Sequence, residues 1–362
     1  MFRTAIKRMA AYEPGEQPRP GRRLIKLNTN ENPYPPSPGV RKVLAGAANL
    51  LRLYPPPRAD ELIDQAARVY RLPREMIMAG NGSDELLAML FRAALGPHHK
   101  VAYPLPTYSL YDTLAKIQEA VVVGVPWHHE FILPLDELVR ARAQLTIICN
   151  PNSPSGTLTP LAEISALAKR LGRGLIVVDE AYVDFADSSA LELLRDHPNL
   201  IVLRSFSKSF SLAGMRLGLG FAHREVIDQL LKVKDSYNLS RLAIAVGAQA
   251  LRDLDWMRRN VDRVKSTRER VTGELRLIGF EVPPSQANFV MARKPGRDLA
   301  PIAAALRKRG ILVRHFPTPA LKDAMRITIG TPAEMKALIT ALRLLMAAAL
   351  AKTTRRGAAQ VR

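Results

Sequence analysis

Three short apolar runs, each ending in polar residues, constrain the fold more than any other feature: "LTIICNPN" from Leu145, "GLIVVDEAY" from Gly174 and "NLIVLRSFSK" from Asn199. A run of aliphatic and β-branched residues without polar alternation reads as a strand buried on both faces. The segments between them, such as "LAEISALAKRLG", carry their apolar residues at helical spacing. Strands alternating with helices predict an α/β domain on a mostly parallel sheet. In such sheets ligands collect beyond the carboxyl ends of the strands. Asn150, Asn152, Asp179, Tyr182, Ser205 and Lys208 all fall there.

Beyond Ser240 the pattern changes. A long helical stretch to about Leu277 precedes three shorter strand-like pieces, "QANFVMAR", "GILVRHF" and "AMRITIG", which predicts a smaller α+β domain. The last helix opens with Thr331, Pro332 and Glu334, a capping box with proline in the first turn. Prolines 14, 18, 20, 33, 35, 36 and 38 make the N-terminal segment an extended arm. The expected division is an arm over 1–38 that also contributes to the small domain, a large domain over 39–250, a small domain over 251–350 and a frayed basic tail over 351–362.

Composition narrows the class. The chain has 362 residues, 47% of them apolar, which is enough for two domains with sizeable cores. Its N-terminus lacks a signal-peptide core, and the longest late apolar run, Leu344 to Ala351, is too short to span a bilayer, so a soluble protein without a membrane partner is expected. Cys149 is the single cysteine, which excludes an internal disulfide framework and points to the cytoplasm. The seven histidines show no metal-ligand spacing, so no metal is expected. The formal charge of +20 raises the question of nucleic acid. Yet the basic residues are dispersed, and the densest run, "RRNVDRVKSTRER" from Arg258, carries acids and no interleaved aromatics. That pattern is a solvated helix face, with attraction of an anionic substrate as a further effect.

The chemistry converges on "SFSKSFSLAGMRLG", Ser205 to Gly218. A lysine after a buried strand has no packing use there, and a desolvated amine can form a Schiff base with an aldehyde. Arg216, Ser205 and Ser207 supply donors suited to a phosphate. An aldehyde and a phosphate on one small molecule describe pyridoxal phosphate, whose ring nitrogen requires a carboxylate partner. Asp179 is placed for that role and Tyr182 for the phenolic oxygen, although Asp179 alone would also serve as a helix cap. The turn "AGNGSDELLAMLFRAAL" brings small residues and the amides of Ser83 and Asp84 to a helix start, a second anion site. On "AMRITIG", alternation sets Arg326 and Thr328 on one face and Met325, Ile327 and Ile329 on the other, so Arg326 should be functional or paired.

"SFSKSFSLAGMRLG", "VVDEAYVDF", "GNGSDE", "NPNSPSG", "LNTNENPYPPSP", "LYPPP" and "MRITIGT", in this order of function and spread from Tyr12 to Leu345, resemble the class II pyridoxal-phosphate aminotransferases, most closely the branch acting on histidinol phosphate. The resemblance implies the aspartate-aminotransferase-like fold, known as fold type I, and a homodimer with shared active sites. It implies that Lys208 binds the cofactor aldehyde and then shuttles a proton, that Asp179 pairs with the ring nitrogen, that Tyr182 meets the phenolic oxygen and that Tyr108 stacks on the ring, a position a core tyrosine would also fill. Ser205, Ser207, Arg216 and the amides of Gly82, Ser83 and Asp84 would hold the phosphate, with Tyr54 reaching it from the partner subunit. Arg326 would clamp a substrate carboxylate, and Arg314 and Tyr12 would hold the distal phosphate. Asn32 and Asn238 match family segments and equally suit turn and cap positions. One departure stands out: family members commonly read NPNNPTG, where this chain has "NPNSPSG", so either the Ser153 hydroxyl or Asn152 must replace an asparagine. The activity implied is exchange of an amine between histidinol phosphate and 2-oxoglutarate, giving imidazole-acetol phosphate and glutamate in histidine biosynthesis. An aromatic-amino-acid transaminase or a threonine-phosphate decarboxylase would use the same fold, and a nucleic-acid-binding protein on an inactive scaffold is opposed by the joint presence of Lys208, Asp179 and Arg326.

Overall fold

The structure, a computed structural model, describes residues 1–10, 15–17, 24–47 and 51–360. Its strands are β1 (Ile25–Leu27), β2 (Ile77–Gly80), β3 (Lys100–Leu105), β4 (Val121–Pro126), β5 (Leu145–Cys149), β6 (Leu175–Asp179), β7 (Leu200–Ser205), β8 (Gly218–Ala222), β9 (Phe289–Arg293), β10 (Ile311–His315) and β11 (Ala324–Thr328). Seven of them form one sheet in the order β2-β8-β7-β6-β5-β3-β4. Only β8 opposes its neighbours; the other six run one way, the mostly parallel sheet expected.

The unbroken apolar runs are explained by what covers the sheet. Ile147, Val177 and Ile201 pack on one face with Leu86, Leu87 and Phe91 of the helix Ser83–Ala94. Ile148, Val178 and Val202 pack on the other with Ile164 and Leu167 of Leu161–Leu171 and with Ile244 and Leu251 of Arg241–Arg252. Each fully buried aliphatic side chain contributes about 1.5–3 kcal/mol, so both faces of β5, β6 and β7 stabilise the sheet. Register then aligns the strand ends: Cys149 pairs with Asp179, Asp179 with Leu203, and Ser205 with Gly218. Gly218 also pairs with Gly80, so the start of β8 meets the carboxyl ends of β2 and β7.

The second sheet has the order β1-β10-β11-β9. The arm supplies β1, parallel to β10 in the register Ile25↔Ile311. The helical stretch after Ser240 is two helices, Arg241–Arg252 and Leu254–Leu277, parted at Asp253, whose φ of −99° and ψ of 34° leave the helical range. Within the arm, Thr4–Arg8 makes one helical turn. Pro38 opens the helix Pro38–Gly46 beneath a Ser37 cap, the hydroxyl accepting the Val40 N–H at 3.2 Å. The last helix, Pro332–Gln360, starts with the expected capping box: Thr331 N–H donates to Glu334 Oε2 at 2.7 Å and Glu334 N–H to Thr331 Oγ1 at 3.3 Å. Among the described residues no helix is long and apolar enough to cross a membrane.

Candidate active site

A cavity of about 720 Å³ opens between the two sheets at the carboxyl edge of the larger one. Tyr108, Ser153, Asp179, Tyr182, Ser205 and Lys208 line it from the large sheet, and Arg314 and Arg326 from the small one. The arm closes it with Gly15, Asn28 and Glu31.

Asp179 is the last residue of β6 and is 3% exposed. Its carboxylate accepts the Tyr111 phenol at 2.7 Å and the Ala181 N–H at 3.3 Å. Burial pushes the group up to about 6 against the hydrogen bond from Tyr111, and the Asp84 charge adds to the rise. Lys208 follows β7; its Nζ donates to the Thr29 carbonyl at 3.3 Å and stands 5.6 Å from the centre of the Tyr182 ring. Burial first, and then the charge of Arg326, bring the amine down to about 8. An acid and a base displaced toward neutrality in one cavity are what proton-transfer chemistry requires.

Beside them lies an anion cradle. Ser207 N–H donates to Ser205 Oγ at 3.1 Å, and the Arg216 guanidinium donates to Ser207 Oγ at 3.3 Å. Arg216 has a left-handed backbone, φ 51°, and pairs with Asp84 at 3.0 Å, a carboxylate standing where an anion would be held. The helix Ser83–Ala94 begins at Gly82 without a side-chain cap, so its first N–H groups face the same place. Two glycines make the space: a Cβ on Gly82, φ 85°, would lie 2.9 Å from the Arg216 guanidinium, and one on Gly218 would lie 2.5 Å from the Ser83 nitrogen. Two hydroxyls, a guanidinium and a helix start around a backbone cradle fit a phosphate, and Lys208 and Asp179 lie on the same cavity wall. The residues present therefore fit pyridoxal phosphate.

Arg326 Nη1 donates to Ser153 Oγ at 3.0 Å and Nη2 to the Asn28 carbonyl at 3.1 Å. Arg314 is its direct partner across β10 and β11, which places both guanidiniums on one face of the sheet. Between the two candidates at the departed motif, Ser153 lines the cavity, whereas the Asn152 amide turns to Ser155 Oγ at 2.9 Å and the Pro106 carbonyl at 3.3 Å, its oxygen taking the Thr107 hydroxyl at 3.0 Å. Tyr108 lines the cavity with its hydroxyl 3.3 Å from Asp84. Asn32 holds the Lys208 and Ser209 carbonyls at 3.0 and 3.2 Å, and Asn238 donates to Glu85 at 2.8 Å, so both support the walls from behind. Tyr54 is 77% exposed and stacks on Tyr237 at 4.7 Å, away from this cavity. Tyr12 lies outside the described residues.

A sequence profile described as "Aminotransferase class I and II" matches residues 22–342. The chain belongs to this family. Histidinol-phosphate aminotransferase 1 of Trichormus variabilis is 43% identical over 343 residues, covering 94% of this chain and 98% of the relative. Histidinol-phosphate aminotransferase of Geobacter sulfurreducens is 45% identical over 351 residues, covering 94% and 98%. The crystal structure of the Sinorhizobium meliloti histidinol-phosphate aminotransferase in complex with pyridoxal-5'-phosphate superposes with a TM-score of 0.87 at 27% identity, covering 96% of this chain and 98% of that one. An aspartate aminotransferase of Thermus thermophilus, 19% identical with a TM-score of 0.79 over 95% of this chain and 99% of that one, shows the shared fold. The aspartate-aminotransferase-like fold and the pyridoxal-phosphate cofactor expected from the sequence both stand.

In this aminotransferase the structure adds residues that sequence reasoning missed. Tyr111, fully buried, holds Asp179 from the helix Leu110–Ile117; the two are far apart in sequence, and its one cue is an aromatic three residues after Tyr108. Arg204, directly before Ser205, donates to Glu180 Oε2 at 3.1 Å and to Ser189 Oγ at 2.8 Å and lies 3.6 Å from Asp184. Asp184 in turn accepts the Ser209 hydroxyl. The neighbours of Asp179 and Lys208 are thus tied to one buried ion network, whose cue was a charge inside an apolar strand. Asn30 is the third, with its amide 3.0 Å from the Tyr182 hydroxyl.

Proposed function

We propose that this aminotransferase exchanges an amine between histidinol phosphate and 2-oxoglutarate. The observation that carries the reading is the pair Arg314 and Arg326, directly opposite each other on adjacent strands and both on the cavity that holds Lys208 and Asp179. Like charges placed opposite one another repel, and an anion bound at the pair relieves that repulsion. Both reactants bring one: glutamate and 2-oxoglutarate present carboxylates, and histidinol phosphate presents a phosphate ester. The names of the relatives at 43% and 45% identity support the same substrate.

Each residue has a part in this reading. Ser205, Ser207, Arg216 and the N–H groups of Gly82, Ser83 and Asp84 bind the cofactor phosphate, and Tyr108 packs on its ring. Asp179 accepts from the ring nitrogen, and Tyr182 donates to the phenolic oxygen, with Ser153 rather than Asn152 beside it. When bound, pyridoxal phosphate supplies an electron sink for the carbon that loses its proton. Lys208 holds the aldehyde end and afterwards serves as the base, its amine deprotonating nearer neutrality than an exposed lysine because of burial and Arg326. Arg326 orients the carboxylate of glutamate or 2-oxoglutarate, and Arg314 with Tyr12 takes the phosphate of histidinol phosphate. Orienting base and substrate in one site replaces several encounters with one. The exposed Tyr54, off its own cavity, supports a homodimer in which that ring reaches the partner's cradle. The lone, buried Cys149 suits a cytoplasmic setting.

The test is a half-reaction panel with histidinol phosphate, phenylalanine and threonine phosphate on the unreduced holoenzyme, while borohydride reduction of a separate sample fixes the cofactor label to Lys208. Histidinol phosphate should react fastest and lose its advantage in Arg314→Gln. A phenylalanine rate equal to that of histidinol phosphate sinks the substrate assignment, and release of carbon dioxide from threonine phosphate replaces it.

A further inference from the structure

Asn30 sits where the two sheets meet and uses every polar atom it has. Its N–H donates to Thr328 Oγ1 at 2.9 Å, the Thr328 hydroxyl donates back to Asn30 Oδ1 at 3.0 Å, and Asn288 Nδ2 donates to the Asn30 carbonyl at 3.0 Å. Its own Nδ2 donates to Tyr182 Oη at 3.0 Å. Asn30, Thr328 and Asn288 are 1%, 2% and 0% exposed, so water does not compete for these bonds. The backbone of Asn30 is left-handed, φ 57°, a conformation asparagine tolerates better than most side chains.

In the structure the amide is set with its oxygen toward the Thr328 hydroxyl, which accepts the Asn30 N–H and donates to Asn30 Oδ1, and with its NH₂ group toward Tyr182. A phenol oxygen that receives an N–H keeps its own proton for another acceptor, and Tyr182 lines the cavity. The other groups around the phenol pull both ways. Burial raises it most, up to about 12, Arg326 and the Asn30 bond oppose that, and Cys149 and Asp179 add to it. The Lys208 amine stands 5.6 Å from the ring, and Phe289 packs edge-on at 4.9 Å.

We propose that Asn30, held by Thr328 and Asn288 of the small sheet's side, is a positioning residue that commits the Tyr182 proton to the cavity. The inference rests on the reading of Tyr182 as the donor to the cofactor's phenolic oxygen. It makes the seating of one sheet against the other a determinant of the site's proton affinity, since Thr328 ends β11 and Tyr182 follows β6.

The experiment is a pH titration of the absorption of bound pyridoxal phosphate in the holoenzyme. Losing a donor to the phenolic oxygen destabilises its anion, so Tyr182→Phe moves the midpoint up. Asn30→Asp, which takes the phenol proton for itself, should also move it up, by about one pH unit, a tenfold change in proton affinity. Thr328→Val should shift it the same way by letting the amide turn, and Thr328→Ser should restore the wild-type midpoint. The double variant Asn30→Asp/Tyr182→Phe should shift no further than Tyr182→Phe, because both act through one bond. If Tyr182→Phe moves the midpoint while Asn30→Asp and Thr328→Val leave it in place, or if the double variant is additive, the inference falls and the Tyr182 reading stands. If Tyr182→Phe itself leaves the midpoint unmoved, both fall.

Discussion

Replacing Lys208 by methionine should make the cofactor-free protein more stable near neutral pH. The amine is brought from 10.5 to about 8 by burial and by the charges of Arg326 and Arg216. At about 1.4 kcal/mol per pH unit this amounts to roughly 3 kcal/mol held against the charged form, and water in the cavity onto which the amine opens reduces it to about 1–3 kcal/mol. The unfolded chain keeps the proton up to 10.5, whereas the folded one releases it near 8, so between those values the unfolded state binds more protons. The stability of the wild-type protein therefore rises with pH across that window and carries the full penalty below it. Lys208→Met lacks that rise. Urea unfolding of both apoproteins, followed by tryptophan fluorescence across the window, should show an advantage for the variant that is largest at neutrality and shrinks above about pH 8. Equal midpoints at neutrality would refute the reasoning. So would an advantage that stays constant with pH, because that would be packing alone.

Other outcomes follow from the same geometry. Tyr111→Phe removes a hydrogen bond to a buried carboxylate, worth about 1.5–3 kcal/mol, so Asp179 titrates one to two units higher and cofactor affinity at neutral pH falls about tenfold or more by equilibrium dialysis; unchanged affinity would remove Tyr111 from the site. Gly218→Ala drives a methyl against the Ser83 nitrogen and should weaken binding of the cofactor phosphate by at least about tenfold with the circular dichroism spectrum intact. Arg204→Met leaves the Glu180 carboxylate, whose side chain is 0% exposed, without its cation and should cost about 3–5 kcal/mol in urea unfolding. Adding Glu180→Gln to that variant should restore part of the loss, and a further loss would count against the pairing.

The chemistry was more legible than its support. Lys208 and Asp179 stand out because each is a charge where an apolar run gives way to polar residues, Arg216 because it shares a motif with Lys208 and two serines, and Arg326 because strand alternation sets it apart from Met325, Ile327 and Ile329. The capping box at Thr331 and the alternation that sets Arg326 and Thr328 against Ile327 rest on local spacing alone, and both appear as read. Boundaries read less well where local signals compete. The prolines of the arm suggested an extended chain through Pro38, but the Ser37 hydroxyl converts that proline into the first residue of a helix. The helical stretch after Ser240 kept its periodicity across Asp253, where the chain nevertheless breaks.

Local patterns were sufficient for the strands, their burial on both faces and the arrival of the charged residues at one edge of a parallel sheet, because side-chain periodicity and the direction of a strand are properties of short segments. They could not bring Tyr111 to Asp179, pair Arg314 with Arg326, turn Asn152 away while Ser153 faces the cavity, or set the Asn30 amide against Tyr182. Those contacts join residues far apart along the chain, and each depends on register between strands or on the seating of one sheet against the other. Directional hydrogen bonds and burial act over a few ångströms, so the partners that tune each group come into being only when the tertiary structure closes around them.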